Sequence, residues 1–372
     1  MRMRYAIPKG KDPIHKARPL VSYYAHPSAP LLRGAARMLW RILQDLHKIR
    51  ACHSFSIFTC QEYVQKQKGK TFAPGTRLLL GDVKNMYTNI SHDQLKVAID
   101  WVLGLASAHL PTKQGMIAST KRIPTFTTRY GANTQGKTML WDQYVHFTMH
   151  QLREVLLWDI EHIYFTVGDC IMQQCQGIPM GSPCSPALAV LLCTHLEHSF
   201  IHSKGVQWCD THLTGYRYID DLLLYCDDSQ FDLQEVVDMY AQPLELEVED
   251  HDNSMVPFLS TLNTLHADGS LHIAYYHKNH RRAQLGLPRL NNVTHFSSHV
   301  PPQRAHGLTM GACHRVVQNS TTKAAAWGAM CEVLREYMAC GLSTGVAAGV
   351  LYDLPTIYDR YHSPSYRLTT VA

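Results

Sequence analysis

Charged residues are scarce in this chain. Asp, Glu, Lys and Arg make up 17% of its 372 residues, below the roughly 25% that is usual for soluble domains. Because hydrophobic residues account for 45%, the composition excludes a wholly disordered chain. Long apolar runs are also lacking, since the uncharged run 337–352 contains three glycines and is shorter than the roughly 20 residues of a membrane-spanning helix. We therefore expect a folded protein that does not enter a membrane.

No two cysteines have CxxC spacing, and their number, eleven, is odd. Both features argue against a disulfide framework and favour a reducing compartment. The pairs Cys52-His53 and Cys313-His314 are adjacent residues without the spacing of zinc ligands, so we interpret them as core or surface residues. The basic start, residues 1–11, has no apolar stretch, and we expect no secretory signal there.

Acids are rare or absent in three basic stretches. Residues 1–50 carry 11 Lys/Arg and two acids, whereas 101–141 carry five Lys/Arg and 269–331 carry seven, with no acid in either. Phosphates favour clustered Lys and Arg through counterion release. One basic stretch is usually only a solvated surface, but three of them favour a nucleic-acid partner.

Several helices can be predicted from apolar spacing and end signals. The first follows Ser28, has Pro30 near its start, and carries an apolar face made of Leu31, Ala35, Leu39, Ile42, Leu43 and Leu46. The capping box 91–94 starts a second helix. Ser185, followed by Pro186, is typical of a third N-cap. From Thr322 to Tyr352 the pattern is again helical.

Three β-hairpins are predicted as well. Residues 163–174 alternate in polarity, Asp268-Gly269 separates two apolar runs, and Asp220-Asp221 in RYIDDLLLY would form a two-residue turn. Earlier in the chain, the apolar run 78–80 predicts a buried strand that ends at Asp82. Two strand ends therefore carry acids.

Acids in these positions are what a metal-dependent nucleotidyl transferase needs. Two carboxylates about 4 Å apart repel each other by roughly 4 kcal/mol at an effective dielectric constant of about 20, so such a cluster is costly unless divalent cations occupy it. Those cations would activate a primer 3′ hydroxyl and neutralise the triphosphate in an in-line displacement. The alternative is that Asp82 caps a turn and that Asp220-Asp221 only forms a hairpin.

Three motifs resemble those of reverse transcriptases and occur in the same order as in that family. Residues 81–87 (GDVKNMY) resemble motif A, 176–183 (QGIPMGSP) resemble motif B, and 218–221 (YIDD) resemble motif C. Residues 297–301 (SSHVP), with Arg315 after them, resemble the thumb entry of Penelope-like elements, a retroelement branch related to telomerase. As a whole, the chain also resembles the stand-alone reverse-transcriptase-like proteins encoded in the mitochondrial genomes of chlamydomonad green algae.

The resemblance implies an α+β fold of the right-hand polymerase type and RNA-directed DNA synthesis. It implies fingers at 1–77, a palm with an antiparallel sheet at 78–277 and a helical thumb at 278–372. A basic insertion at about 104–140 and the hairpin 163–174 would lie within the palm. The implied partners are an RNA template, a DNA primer and deoxynucleoside triphosphates, and the algal likeness implies a mitochondrial location.

The resemblance also implies a two-metal site. Asp82, Asp220 and Asp221, with the backbone of Val83, would hold two Mg²⁺ ions, for which Mn²⁺ can substitute. Tyr87, five residues after Asp82, would clash with a ribose 2′-OH and so select deoxynucleotides. A core tyrosine is the alternative interpretation of Tyr87.

Further residues would contact the substrates. Arg18, with Lys9 or Lys11, would bind triphosphate oxygens, since Arg suits bidentate contact with phosphate. Gln176 and Gly177 would let the backbone approach the template–nucleotide pair. The thumb residues that would bind duplex phosphates are Lys278, Arg281, Arg282, Arg289, Arg304 and Arg315.

Two departures from the family pattern leave alternatives open. No Lys or Arg occurs between Arg217 and Lys278, so the lysine that many polymerases offer as general acid to the departing pyrophosphate is missing. Ser260 follows the primer-grip-like pair Phe258-Leu259, where Penelope-like elements usually carry an acid. The alternatives are a catalytically inactive, reverse-transcriptase-like RNA-binding protein and a splicing cofactor of the intron-maturase type.

Overall fold

The structure, a computed structural model, describes residues 4–9, 12–24, 26–112, 115–119, 124–126, 144–227, 232–240, 243–249, 255–277, 279, 286, 295–298 and 302–363. The described helices are α1 Ala29–Lys48, α2 Cys60–Gln67, α3 Met86–Asn89, α4 His92–His109, α5 Met149–Glu161, α6 Ser185–Lys204, α7 Val206–His212, α8 Leu233–Met239, α9 Pro302–Gln318, α10 Lys323–Ala339 and α11 Thr344–His362. The described strands are β1 Arg4–Lys9, β2 Asp12–Val21, β3 Thr76–Val83, β4 Met116–Ser119, β5 Thr125–Phe126, β6 Tyr144–Phe147, β7 Tyr164–Val167, β8 Cys170–Gln173, β9 Leu213–Tyr218, β10 Asp221–Asp227, β11 Leu246–Glu249, β12 Met255–Phe258, β13 Thr261–Leu265 and β14 Leu271–Tyr275.

Two compact units make up the chain. The first consists of residues 1–56, 81–222 and 232–247, and the second of residues 57–80, 223–231 and 248–372. The division into fingers, palm and thumb at residues 77 and 277 stays a prediction.

A four-stranded sheet with the strand order β11-β3-β10-β9 contains both predicted acid-bearing elements. β3 is an inner strand of this sheet, which explains the apolar run that includes the buried Leu78 and Leu79. In β3, Gly81 allows β11 to pack closely, because a Cβ atom there would lie 2.9 Å from Cδ1 of Leu246. β9 and β10 are joined by the tight turn that carries Asp220.

Helices α1, α4, α5 and α6 pack against one another in the first unit. The buried face predicted for α1 is confirmed except at its start, where Leu31 is exposed and Leu32 is buried instead. α6 is buried nearly all round from Ala187 to Thr194, which is typical of a central helix. Its predicted N-cap is wrong by one residue: α6 begins at Ser185, whose hydroxyl donates to the carbonyl oxygen of Pro179 at 2.8 Å.

The capping serine of α4 is confirmed, because the Ser91 hydroxyl accepts a hydrogen bond from the backbone amide of Gln94. α4 continues to His109, so the first residues of the predicted insertion are helical. After it, β4, β5 and β6 form a three-stranded antiparallel sheet with the order β5-β4-β6. Much of the remaining insertion lies outside the described residues. β7 and β8 form an antiparallel hairpin within the predicted span 163–174.

The second unit combines a small sheet with a helical cluster. β12, β13 and β14 form an antiparallel sheet in that order. α9, α10 and α11 share a core that includes Val316, Met330 and Val350. The helical pattern predicted from Thr322 onward corresponds to two helices, α10 and α11. The chain leaves α10 near Gly341, which has φ +88°. None of the described helices has the length and apolar character that crossing a bilayer requires.

Candidate active site

The structure brings the three predicted acids together. Asp82 is the next-to-last residue of β3, and the backbone amide of Val83 donates to the carbonyl oxygen of Asp220 at 3.1 Å. This bond holds the end of β3 beside the β9–β10 turn. Asp82, Asp220 and Asp221 each offer a carboxylate oxygen within 4.8 Å of the others. Asp82 and Asp220 are partly buried, whereas Asp221 is exposed.

The turn that carries Asp220 differs from the predicted one. Its two residues are Ile219 and Asp220, and Asp221 is already the first residue of β10. Ile219 has φ +60°, a left-handed conformation that a β-branched residue adopts only when its surroundings enforce it. The two acids therefore point from a turn and from a strand, not from one Asp-Asp turn.

A buried ion pair supports this turn, and the sequence motifs gave no sign of it. Arg217, at the end of β9, and Glu197, on α6, are both fully buried and form a salt bridge through Nε and Oε1. A second guanidinium nitrogen donates to Glu197 Oε2 at 3.1 Å and to Ser56 Oγ at 2.6 Å, and the third donates to the carbonyl oxygen of Ile219 at 2.9 Å. The left-handed residue before Asp220 is thus held by a buried cation.

The carboxylate of Glu197 is itself well satisfied. It accepts hydrogen bonds from the backbone amide of Phe55 at 3.0 Å and from the hydroxyl of Tyr240 at 2.7 Å. Burial opposes the charge of Arg217, but the attraction of Glu197 outweighs burial, so the pKa of the guanidinium lies above its ordinary value. Such a pair is destabilised strongly when one partner is removed, because the other is then a buried lone charge.

Motif B is bonded directly to the segment that follows Asp82. The amide of Gly177 donates to the carbonyl oxygen of Ile90 at 2.9 Å, and the amide of Ile178 donates to that of Tyr87 at 2.7 Å. In return, Nε2 of His92 donates to the carbonyl oxygen of Gly177 at 2.7 Å. These three hydrogen bonds hold the motif B loop against α3 and the start of α4.

Glycine is required at position 177 for two reasons. Its φ of +74° is costly for other residues, and a Cβ atom would lie 2.6 Å from the carbonyl oxygen of Tyr87 and 2.7 Å from that of Thr88. Gln176, beside it, is exposed. Tyr87 lies on α3 and is half-buried, so the structure is compatible with both interpretations of its ring.

The acid cluster fits a divalent cation. Hard cations such as Mg²⁺ take oxygen ligands, and three carboxylates converge here. Two ionised carboxylates 4.8 Å apart repel by roughly 3 kcal/mol at an effective dielectric constant of about 20, and a cation would remove that cost. The nearby basic side chain of Lys84 is directed to other acids, because its Nζ lies 2.6 Å from Glu247 and 3.9 Å from Glu245.

The predicted triphosphate-binding residues lie on or between the first two strands. β1 and β2 pair antiparallel, with Lys9 opposite Asp12 and Arg18 opposite Ile7. Lys11 lies outside the described residues. The roles of all three stay predictions.

The predicted thumb contacts are described in part. Arg304 and Arg315 are exposed residues of α9, eleven positions apart and therefore about three helical turns from each other. Lys278, Arg281, Arg282 and Arg289 lie outside the described residues. Phe258 ends β12, and Leu259 begins its turn with φ +55°, so the primer-grip-like pair forms the tip of the β12–β13 hairpin.

Comparison with solved structures identifies the fold. A telomerase from Candida albicans, in complex with a TWJ fragment of telomeric RNA, matches with a TM-score of 0.59 and 12% identity over 98% of this chain. A telomerase from Candida tropicalis, also in complex with a TWJ fragment of telomeric RNA, matches with a TM-score of 0.52 and 12% identity over 100% of this chain. The RNA-dependent RNA polymerase of a human picobirnavirus matches with a TM-score of 0.50 and 12% identity over 99% of this chain.

These likenesses establish the fold, which is the α+β fold of right-hand nucleic-acid polymerases. This chain spans 61%, 56% and 65% of those three chains, respectively. No family model and no curated protein matches the sequence.

Proposed function

We propose that this protein is an RNA-directed DNA polymerase that extends a primer 3′ hydroxyl with deoxynucleoside triphosphates. One observation carries the proposal: Asp82, Asp220 and Asp221 converge within 4.8 Å at the end of β3 and the β9–β10 turn, in a right-hand polymerase fold. In the sequence these acids belong to motifs A and C of reverse transcriptases.

The acids would act as ligands for two Mg²⁺ ions, with the backbone of Val83 as a further ligand and with Mn²⁺ as a substitute. When bound, the ions supply activation of the 3′ hydroxyl and neutralisation of the triphosphate charge. Arg217 holds the turn that presents Asp220, so the ligands are positioned before substrate arrives. Lys9 or Lys11, with Arg18, would bind the triphosphate.

The polymerase needs a surface for the template and the growing duplex. Gly177 gives the motif B loop its backbone conformation, and Tyr87 beside it would exclude a ribose 2′-OH. In the second unit, the basic stretch that includes Arg304 and Arg315 would contact duplex phosphates. Phosphate contacts carry little sequence information, so we expect binding that tolerates sequence and weakens steeply with salt.

Primer extension with purified full-length protein tests the proposal. The substrate is a DNA primer on an RNA template with dNTPs and Mg²⁺, and separate reactions use a DNA template, NTPs or Mn²⁺. We expect RNA-templated DNA products and a loss of at least ~100-fold in single-turnover incorporation for Asp82→Asn and Asp220→Asn. The exposed Asp353→Asn in α11 is the matched control and should retain incorporation.

A second candidate function rests on a specific observation, the absence of Lys and Arg between positions 217 and 278. Without a general acid for pyrophosphate, the protein would be an RNA-binding relative without catalysis or a splicing cofactor of the maturase type. Tight RNA binding by a folded wild-type protein that adds no nucleotide in Mg²⁺ or Mn²⁺ would replace the polymerase proposal with this one. Incorporation of NTPs alone would instead assign RNA synthesis.

The finer lineage is part of the same proposal. The thumb-entry motif supports the Penelope-like branch, and the overall likeness to algal organelle proteins supports a mitochondrial location. Detection of the protein in purified mitochondria, with cytosolic and plastid fractions as controls, tests the location.

A further inference from the structure

Three histidines meet on the surface of the first unit, on residues that the polymerase proposal does not use. His198 and His202 lie one turn apart on α6, and His53 lies in the segment before α2. Each offers a ring nitrogen within 4.8 Å of the other two. The ring centroids of His198 and His202 are 4.1 Å apart, and those of His53 and His202 are 5.2 Å apart, both pairs meeting edge to face.

One nitrogen of this cluster calls for a partner. Nδ1 of His53 is buried, yet it makes no hydrogen bond with any part of the chain that the structure describes. Buried polar atoms in folded proteins are nearly always satisfied by protein, water or an ion. The open lone pair of a neutral imidazole is a ligand for a transition-metal ion.

We propose that His53, His198 and His202 bind one divalent transition-metal ion of the zinc class. Imidazole nitrogen suits Zn²⁺ and its neighbours, whereas Mg²⁺ prefers oxygen, so this site and the acid cluster would take different ions. Three nitrogens at about 2.0–2.1 Å from a tetrahedral Zn²⁺ lie about 3.3 Å from one another.

Binding has a defined consequence at His198. Its Nδ1 accepts a hydrogen bond from the backbone amide of His53 at 3.1 Å, so the neutral ring carries its proton on Nε2. Coordination through Nε2 moves that proton to Nδ1 and breaks the bond to His53. The change of tautomer is therefore a signature of metal binding at this residue.

The residues around the three histidines favour neutral imidazole rings and attract a cation. Trp101 packs against His198 with ring centroids 5.0 Å apart, which shields one side of the cluster from water. Burial lowers the pKa of His53 and His198, which favours the neutral form that a metal ligand needs. The carboxylate of Asp210 attracts positive charge at His53.

The metal site would hold the segment 53–56 in place, and this segment also supports the β9–β10 turn that carries Asp220. Two residues after His53, the amide of Phe55 donates to Glu197, and the hydroxyl of Ser56 accepts from Arg217. A metal ion that ties His53 to α6 would restrict this segment from its other end. The role we assign is therefore structural, and its test does not depend on polymerase activity.

The experiment is a Zn²⁺ titration of the full chain after chelator treatment, with Mg²⁺ in excess to occupy the acid cluster. We expect one tightly bound Zn²⁺ per chain, a higher Tm on binding, and a shift of the His198 ring from the Nε2–H to the Nδ1–H tautomer by NMR. His202→Gln, an exposed position, should fold and bind at least about tenfold more weakly, because even loss of a hydrogen bond to a ligand typically weakens metal binding 10- to 100-fold.

Two controls make the result specific to this cluster. His109→Gln, an exposed histidine at the end of α4, and Asp220→Asn should both retain the bound Zn²⁺. His53→Gln should weaken Zn²⁺ binding at least about tenfold, as His202→Gln does. The proposal is overturned if wild type binds no stoichiometric Zn²⁺, if His202→Gln binds as tightly as wild type, or if Asp220→Asn alone removes the ion.

Discussion

The guanidinium of Arg217 donates a hydrogen bond of 2.9 Å to the carbonyl oxygen of Ile219, the residue before Asp220. Ile219 has a left-handed backbone, and Arg217 is fully buried with Glu197 as its counter-ion. The backbone conformation that presents the Asp220 carboxylate is therefore coupled to an ion pair in the core. In physical terms, Arg217 is a positioning residue.

Arg217→Lys keeps the charge but replaces a planar fork of donors by a single ammonium group. We expect the contact to Ile219 to be lost and single-turnover incorporation to fall about 10- to 100-fold, because displacement of a reacting group by about 1 Å costs that much. The Mg²⁺ titration of activity should also move to higher concentration. Arg217→Met, which leaves Glu197 unpaired, should lower the free energy of unfolding by roughly 3–5 kcal/mol.

Arg153→Lys is the matched control for this prediction. Arg153 forms a two-pronged pair with Asp100 at 2.6 and 3.0 Å, but both side chains are largely exposed. Exposed pairs contribute about 0–1 kcal/mol, so this variant should behave like wild type. An Arg217→Lys protein with normal Mg²⁺ dependence and a normal incorporation rate would contradict the positioning role.

The sequence was sufficient to predict the acids but not what holds them. Asp82 and Asp220 could be predicted because they adjoin apolar strands within segments that resemble two reverse-transcriptase motifs. Glu197 lies among apolar residues of α6 in the same way, yet its partner Arg217 is 20 positions away on a strand, and no local spacing rule connects them. Pairing across a fold is set by packing, which periodicity does not encode.

The same limit explains the turn and the histidine cluster. Asp-Asp is a favourable hairpin pair, but the register of β9 and β10 places Ile219 and Asp220 in the turn, and register depends on the whole sheet. In the sequence, the neighbour of His53 is Cys52, and this adjacent pair lacks the spacing of zinc ligands. The spatial neighbours of His53 are His198 and His202, about 145 residues further on.

Gly177→Ala should impair both folding and activity. The added methyl group would lie 2.6 Å from the carbonyl oxygen of Tyr87, so the motif B loop must move away from α3. We expect unfolding to become easier by roughly 1–3 kcal/mol and incorporation to fall at least about tenfold. Chemical denaturation and single-turnover incorporation measure the two effects.

Gly69→Ala separates backbone strain from this close approach. Gly69 has φ +71°, almost the same as Gly177, but among the described residues, apart from Gly69 and its chain neighbours, no heavy atom lies within 4 Å of its added Cβ. It should show the conformational cost alone and retain activity. Equal losses in the two variants would mean that contact with Tyr87 is unimportant.

Tyr87→Ala tests sugar selection at the proposed nucleotide site. The carbonyl oxygen of Tyr87 is bonded to Ile178, so truncating the side chain leaves the backbone of α3 in place. If the ring excludes the 2′-OH, incorporation of ribonucleotides relative to deoxynucleotides should rise, whereas Tyr87→Phe should keep the wild-type ratio. An unchanged ratio in competition assays with Tyr87→Ala would assign the ring to the core.

Metal-free protein should lose stability as the pH falls from about 6.5 towards 4. Burial, together with the charges of His202, His53 and His195, lowers the pKa of His198 from 6.5 to about 4. In that pH range the unfolded chain binds more protons at this residue than the folded chain does, so stability rises with pH. The contribution of His198 is complete above about pH 6.5 and is lost as the pH falls through its folded-state pKa.

His198→Gln isolates this contribution from the carboxylates that titrate nearby. The Gln side chain has an oxygen that can accept the hydrogen bond from the amide of His53, but it has no proton to gain in this range. Urea midpoints measured in EDTA at pH 7 and pH 5 should therefore fall less for the variant than for wild type. If the urea midpoints of both proteins fall by the same amount between pH 7 and pH 5, protonation of His198 is not coupled to folding. The pH dependence of stability would then come from other titratable groups.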